Sequence, residues 1–364
     1  MTESYAVIAG GGTAGHLYPG LAVAEALISM GKTRTEIYFL TSDRDIDDQL
    51  LTAANFQFTP LKGKGIDRRS ILSSISAVIL LIKSTVFAYK YLRESKPKII
   101  LALGGFAAIP GAVAGLLTGT PVVLHEQNSV PGSANKLISK WAKKSAVSYE
   151  KTELPRRVYT GNPVRKEITD LSRSHRSMHR SQLGIPSGNK LVVVTGGSLG
   201  SLKINKSILD ALTTLSEVPN LTIYHIIGSR DWEELGQSTG ELGIDYRAIE
   251  YEDQMPIVLN SADLIVSRAG GSITAEINLL GLPSILIPLP DAPGDHQTKN
   301  AESLVKDGRA VIVPNERCTG ERIAKEIKGI VLNEERLMRM ARIRHEDEKN
   351  AAESIASLLI GEAK

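Results

Sequence analysis

Short aliphatic and β-branched runs recur along the whole chain, each closed by glycine or a polar cluster and followed by a helix-like stretch. Runs this short, bounded by turn residues, predict buried strands. Their alternation with helical segments predicts parallel α/β layers. The first run, 5–9, feeds Gly10, Gly11, Gly12, Thr13, Ala14, Gly15 and His16, and a helix is predicted over 17–30. Further strands are predicted over 36–41, 98–103, 121–124, 146–149 and 157–160. The theme then restarts at 190–195, with Gly196, Gly197, Ser198, Leu199 and Gly200, and continues through strands at 221–227, 246–250, 262–267, 283–288 and 310–313. The expected fold is α/β with two Rossmann-like parallel-sheet domains facing a cleft. Their expected bounds are 1–163 and 190–340, with a polar linker at 164–189 and a closing charged helix at 341–364.

One helical segment, 70–93, contains no acidic residue. On a 3.6-residue wheel, Ile71, Ile75, Val78, Ile82, Val86 and Tyr89 form one stripe, the expected core face. The other face is mostly serine but groups Leu80, Phe87 and Tyr91, with Lys83 and Lys90 at its edge. Two readings stand: a helix packed on both sides, or an apolar patch with a basic rim suited to an anionic bilayer surface. Lys83 interrupts the run too early for a transmembrane span. In the linker, His175 and His179 have a helical metal-binding spacing but no third ligand nearby, so a solvated face is expected.

Composition narrows the field. At 364 residues the chain is long for one core, and a net charge of +3 without a basic, aromatic-rich patch does not point to nucleic acid. The single cysteine, Cys318, excludes an internal disulfide and a cysteine-based zinc site. The N-terminus enters a strand directly, and no signal peptide is read there.

Chemistry gathers where strands end. A glycine turn leading into a helix brings backbone N–H groups and the positive end of the helix dipole against an anion. Gly10, Gly12 and Gly15 also spell GxGxxG, which alone allows a dinucleotide and an NAD-dependent oxidoreductase. However, Asp43 lies farther beyond the motif than the roughly 20 residues usual for a ribose-binding acid. His16 adds a titratable group that dinucleotide binding does not need. The strand at 121–124 ends in His125, Glu126, Gln127 and Asn128, for which a hydrogen-bonded pair of His125 and Glu126 shaping the loop is the expected role. Glycine turns in both halves favour a transferase over a fold with a single dinucleotide half.

GGGTAGHLYPGLAVAEAL, GGF, HEQN, TGNPVR, GGSLG, SRAGGSITAE and DHQTKNA occur in that order across nearly the whole length. Together they resemble the MurG family of peptidoglycan N-acetylglucosaminyltransferases, which have the GT-B fold. The resemblance implies inverting transfer of N-acetylglucosamine from UDP-N-acetylglucosamine to undecaprenyl-diphospho-muramoylpentapeptide, lipid I, at the cytoplasmic face of the bacterial membrane. It implies that Glu276 holds the ribose hydroxyls and that the backbone at Glu252 reads the uracil. Ser198, Gly271 and Ser272 would meet the donor diphosphate near Arg165, with Ile273, Thr274 and Ala275 in the same motif. Gln297, Asn128, Thr13, Ala14 and Gly15 would contact the sugar. Gly11, Gly12, Gly104 and Gly105 would face the acceptor diphosphate.

Ala14, Glu252 and Ile273 depart from the family pattern, which puts ligand geometry rather than reaction class in question. His16, with an unperturbed pKa near neutrality, is the expected base. Arg165 and the helix starts after Gly197 and Gly271 would stabilise the leaving group. No DxD motif is placed to hold a metal, so no cofactor or obligatory metal is expected. The alternatives are a related lipid-acceptor transferase, a UDP-N-acetylglucosamine epimerase of the same fold, or a non-catalytic UDP-sugar-binding membrane adaptor.

Overall fold

The alternation written into 6–9 is realised on two faces: Ala6 and Ile8 enter one apolar core and Val7 and Ala9 another, all fully buried. A strand buried on both sides needs helices on both sides, and this pattern organises the first half of the chain. The structure, a computed structural model, describes residues 4–63, 71–171, 175–197, 199–236, 243–342 and 347–364.

In chain order, the first elements are β1 (Ala6–Ala9), α1 (Ala14–Ser29), β2 (Ile37–Ser42), α2 (Asp45–Ala53), β3 (Gln57–Leu61) and α3 (Ile71–Ser95). Next come β4 (Ile99–Ala102), α4 (Ala108–Thr118), β5 (Val122–Glu126), α5 (Ser133–Ile138), β6 (Lys144–Val147) and β7 (Arg157–Tyr159). The second half has α6 (Lys166–Thr169), α7 (Arg176–Gln182), β8 (Lys190–Thr195), α8 (Leu202–Leu215), β9 (Leu221–Ile226) and α9 (Ser229–Leu235). It continues with β10 (Asp245–Ile249), α10 (Met255–Ser261), β11 (Leu264–Ser267), α11 (Gly271–Leu280), β12 (Ser284–Leu286) and α12 (His296–Lys306). The chain closes with β13 (Ala310–Ile312), α13 (Gly320–Val331), α14 (Glu334–Arg342) and α15 (Ala351–Glu362).

Two units result. The first comprises Met1–Arg165 and Asp347–Lys364, the second Lys166–Glu346. Among the described residues, the first sheet runs β3-β2-β1-β4-β5-β6-β7 and the second β10-β9-β8-β11-β12-β13, with every pairing parallel. In each, strand order reverses beside the first strand of the unit, between β1 and β4 and between β8 and β11. The loops leaving such strands at their carboxyl ends form the crevice where open α/β sheets bind ligands.

Several expectations are corrected. The closing helix is no separate appendage: Ile355, Ala356 and Leu359 of α15 belong to the first unit's core, with Leu17, Val23 and Leu27 of α1. The polar stretch before β8 docks on the second unit. Arg176 and Arg180 of α7 pair with Asp263 at 2.8 and 3.1 Å, and His179 is buried against Asn260 at 2.8 Å rather than solvated. β3 and α2 were not predicted: β3 is an edge strand interrupted by Pro60, and α2 opens on the acidic run Asp45, Asp47 and Asp48.

The largest correction concerns α3, whose expected core face lies largely outside. Ala77, Ser84, Ala88, Tyr91, Leu92 and Ser95 are buried, while Val78, Ile79, Ile82, Val86 and Phe87 are exposed. The side chains at 71 and 75 lie outside the described residues, and Leu80 and Tyr89 are half-buried. The wheel ranks faces by size, but α3 lies along α4 and packs with a face that carries Ala77, Ser84 and Ala88. Small residues on this face of α3 allow close approach, so the bulky side chains are left outside. Tyr91, expected on the membrane face, stacks on Tyr38 at 4.3 Å between ring centroids, and its hydroxyl shares a hydrogen bond with Ser4 Oγ at 3.1 Å.

A charge on the small-residue face should therefore be costly. Ala88→Glu is expected to destabilise the first unit by about 3 kcal/mol, lowering the thermal midpoint by roughly 6–12 °C. Val86→Glu should leave the midpoint nearly unchanged. Equal losses in the two variants would mean that α3 packs on both sides.

Candidate functional site

In the first unit the β1 and β4 turns meet backbone to backbone. A Cβ on Gly10 would lie 2.7 Å from Leu103 Cβ, and one on Gly105 would lie 3.0 Å from the Gly11 carbonyl oxygen. Two N–H groups of the first glycine turn are already occupied. Gly10 N–H donates to the Leu40 carbonyl at 3.0 Å and Gly12 N–H to Asp47 Oδ2 at 2.7 Å. The Gly12 amide is thereby committed to Asp47. Gly11, Gly104 and Gly105 remain in the same pair of turns. Thr13 immediately precedes α1, which starts at Ala14 and Gly15, and its hydroxyl shares a 2.8 Å hydrogen bond with His16 Nδ1. His16 is half-buried on that first turn.

His125 and Glu126 of HEQN are the last residues of β5, and Gln127 and Asn128 follow it. Glu126 is fully buried: Oε1 accepts from Asn128 N–H at 3.0 Å and Asn128 Nδ2 at 3.2 Å, Oε2 from Gly132 N–H and Asn135 Nδ2, each at 2.9 Å. The carboxylate shapes the loop, as expected, and it tethers Asn128. It does so without His125, whose Nε2 bonds instead with Ser148 Oγ at 3.2 Å. Burial holds the His125 imidazole neutral, its pKa pushed down to about 3, with a smaller push in the same direction from a charge on His16. Gln127 Nε2 ties this loop to the β4 turn through the Leu103 carbonyl at 2.8 Å. Arg165, expected near the donor diphosphate, lies over the Tyr18 ring of α1 at 4.3 Å, two residues beyond His16.

In the second unit, the turn after β8 is braced by Gly197 N–H on Thr195 Oγ1 at 3.1 Å; Ser198 lies outside the described residues. α11 begins at Gly271 and Ser272, with Gly270 before it. Its other end is closed by Arg309, a fully buried guanidinium that bonds Asn278 Oδ1 and the carbonyls of Ile277 and Asn278. A cation at the carboxyl end offsets the negative pole of the helix and leaves the positive pole facing the turn.

Gln297 Oε1 accepts from Ala269 N–H at 3.2 Å and Leu289 N–H at 2.9 Å, which fixes its side-chain amide between two strand-end loops. The Thr274 hydroxyl turns back onto the carbonyls of Gly270 and Gly271 at 2.8 and 2.9 Å, supporting the turn. Ala275 and Glu276 are buried on the same helix, and Ile273 is half-buried. The Glu252 carboxylate is held by Tyr224 Oη–H at 2.5 Å and Gln254 N–H at 2.6 Å, which fixes the backbone there.

Thus Gly271, Ser272, Ile273, Thr274, Ala275, Glu276, Glu252 and Gln297 fall in the second unit. Thr13, Ala14, Gly15, Asn128 and Arg165, expected for the same ligand, fall in the first. Sequence reasoning missed Asp47, Arg268 and Arg309. Arg268 binds the Ile287 and Pro288 carbonyls, each at 3.1 Å, Asn315 Oδ1 at 2.9 Å and Ser201 Oγ at 2.7 Å, joining three strand-end loops. Its place inside SRAGG was the available signal.

Burial also holds His225 at a pKa of about 3, bonded to Asn205 Oδ1 at 3.0 Å and Tyr246 Oη at 2.9 Å. His125 and His225 both take up a proton on unfolding below their ordinary 6.5. Stability is therefore full above that value and falls as the pH drops from 6.5 towards 3. At pH 5 each ring should cost about 2 kcal/mol. Urea unfolding of His225→Gln at pH 7 and pH 5 should show a pH dependence smaller by that amount. An unchanged dependence would mean that His225 is protonated in the folded protein.

Comparison with known proteins agrees with this geometry. Residues 6–147 match the glycosyltransferase family 28 N-terminal domain and residues 191–358 the glycosyltransferase family 28 C-terminal domain. The UDP-N-acetylglucosamine--N-acetylmuramyl-(pentapeptide) pyrophosphoryl-undecaprenol N-acetylglucosamine transferase of Alkalilimnicola ehrlichii is 33% identical over 362 residues, covering 98% of this chain and 99% of the relative. The protein of the same name from Carboxydothermus hydrogenoformans is 35% identical over 341 residues, covering 92% and 91%. The crystal structure of Acinetobacter baumannii MurG superposes with a TM-score of 0.74 at 26% identity, over 99% of this chain and 100% of that one. A UDP-GlcNAc 2-epimerase from Neisseria meningitidis, 16% identical with a TM-score of 0.67 over 98% of this chain and 100% of that one, shares the fold. The two parallel-sheet units are those of a GT-B fold, and the chain belongs to glycosyltransferase family 28 and, within it, to the MurG family.

Proposed function

We propose that this protein transfers N-acetylglucosamine from UDP-N-acetylglucosamine to the 4-hydroxyl of the muramyl sugar on undecaprenyl-diphospho-muramoylpentapeptide, yielding lipid II. The observation that carries the reading is near-full-length similarity at 33–35% identity to relatives named for that transfer. The second unit holds the uridine end of the donor: Glu276 the ribose, the Glu252 backbone the uracil, and the start of α11 the diphosphate. The acceptor lies against the first unit. A single displacement at the sugar C1 inverts that centre, with the acceptor oxygen forming a bond as the bond to UDP breaks.

His16 takes the proton from the attacking hydroxyl. In the tautomer that donates from Nδ1 to Thr13 Oγ1, the Nε2 lone pair is the base. The positive poles of α8 and α11, with Arg165, offset charge on the departing UDP, so this reading requires no metal. UDP release from UDP-N-acetylglucosamine with a short-chain lipid I analogue tests it. His16→Ala should lower kcat by about 10²-fold or more and leave donor affinity nearly unchanged. Near-normal turnover would remove His16 from the mechanism.

The exposed strip on α3 is the proposed membrane contact. Val78, Ile79, Ile82, Val86 and Phe87 are exposed beside Lys83 and Lys90, and Phe87, Lys83 and Lys90 are the members of the expected patch that stay outside. Among the described residues no helix is long and apolar enough to cross a membrane. Apolar side chains among lysines suit a peripheral hold on an anionic leaflet. At about 1 kcal/mol for each half-buried side chain, the Ile82→Ser/Phe87→Ser double variant should weaken binding to anionic vesicles by roughly tenfold or more. Activity on a soluble acceptor should persist. Unchanged vesicle binding would contradict the contact.

A further inference from the structure

The turn that carries Thr13 and His16 is gripped by the start of α2. Asp47 is fully buried, and its Oδ2 accepts four hydrogen bonds: from Gly12 N–H at 2.7 Å, Thr41 Oγ1 at 2.6 Å, Ser42 Oγ at 2.6 Å and Ser42 N–H at 3.1 Å. Oδ1 is also buried and has no hydrogen-bond partner among the described residues. Arg44, on the residue before α2, donates from Nη1 to the Gly12 carbonyl at 2.8 Å. Both faces of Gly12 are thus fixed from one turn of chain. At Gly11, φ is +154° and a Cβ would stand 2.3 Å from Asp47 Oδ2 and 2.4 Å from Thr41 Oγ1, so only glycine lets the carboxylate lie directly against the loop.

Burying a carboxylate with one oxygen unpaired costs free energy. Placed beside a loop that faces phosphorylated ligands, it also repels them. A pure anion cradle would present its amides outward and carry no such group. The arrangement instead immobilises the peptide leading into Thr13, whose hydroxyl orients the His16 ring. We propose that Asp47, supported by Arg44, is a positioning residue for the transfer: it sets the conformation of residues 11–13 and, through Thr13, the aim of His16. The proposal rests on His16 acting as the base. It also assigns Gly12 a structural hydrogen bond in place of a ligand contact.

Steady-state kinetics with UDP-N-acetylglucosamine and a lipid I analogue, on the full chain, test this. Asp47→Ala should lower kcat by about 30- to 100-fold and leave the donor KM within about twofold, because the donor's uridine is held by the second unit. Asp47→Asn, which keeps an acceptor oxygen for Gly12, should recover about tenfold of that loss. Arg44→Ala, at an exposed position, should cost about three- to tenfold in kcat. Because Asp47 acts through His16, its replacement should add nothing in a His16→Ala background. If Asp47→Ala does not fold, Asp47→Asn and Arg44→Ala carry the test. Unchanged kcat in both, or a rise in donor KM at constant kcat, overturns the proposal. So do losses that multiply with an impaired His16→Ala, an outcome that leaves the base assignment intact. Normal turnover of His16→Ala alone is the separate result that removes the base, and the proposal with it.

Discussion

Backbone groups that leave a parallel sheet at its carboxyl edge lose their ladder partners, and a buried loop must satisfy them some other way. In this protein single side chains do so repeatedly. Asp47 takes Gly12 and Ser42, Glu126 takes Asn128 and Gly132, and Gln297 takes Ala269 and Leu289. Arg268 and Arg309 do the complementary work for carbonyls, one across strand-end loops and the other at the far end of α11. The turns therefore hold one shape before any ligand arrives, which is the condition for electrostatic preorganisation.

That constraint divides the polar residues of the family motifs into two kinds. Some have their polar atoms turned to the protein: Glu126, Thr274 and the carbonyl of Gln297. Others are aimed by the first kind: His16 through Thr13, Asn128 through Glu126, the Gln297 amide nitrogen through its own carbonyl. A sugar nucleotide transferase needs few direct contacts if these are fixed within a narrow range of positions. The departures in this chain fit the same division. The Glu252 carboxylate is turned to Tyr224 and Gln254, as the proposed backbone reading of the base requires, and Ile273 gives up no hydroxyl that the turn requires, since Thr274 supplies it.

Much of the fold was legible because buried strands in an α/β layer advertise themselves: the central strands follow aliphatic runs, and a glycine turn follows the first strand of each unit. What was not legible has physical reasons. β3 carries Pro60 on an edge, where the apolar signal weakens. The expected core face of α3 lies outside because the face that packs inward is built largely of alanine and serine rather than of bulk. The return of α15 to the first unit is a long-range packing choice that no local pattern encodes. At the site, the glycine motif was visible but ambiguous, since GxGxxG also describes a dinucleotide turn. The family assignment and the Asp47 carboxylate, which occupies an amide such a ligand would want, both speak against that reading. Asp47 itself was hidden among the acids that open α2, where an acidic first turn is unremarkable.

Amide hydrogen exchange measures the central claim most directly. The account predicts that Gly12, Asn128, Gly132 and Ala269 are protected in the ligand-free protein to the same degree as the strand amides beside them, and that UDP-N-acetylglucosamine changes none of them greatly. Rapid exchange at these amides until ligand is added would contradict it, because the turns would then be shaped by the ligand rather than by the protein.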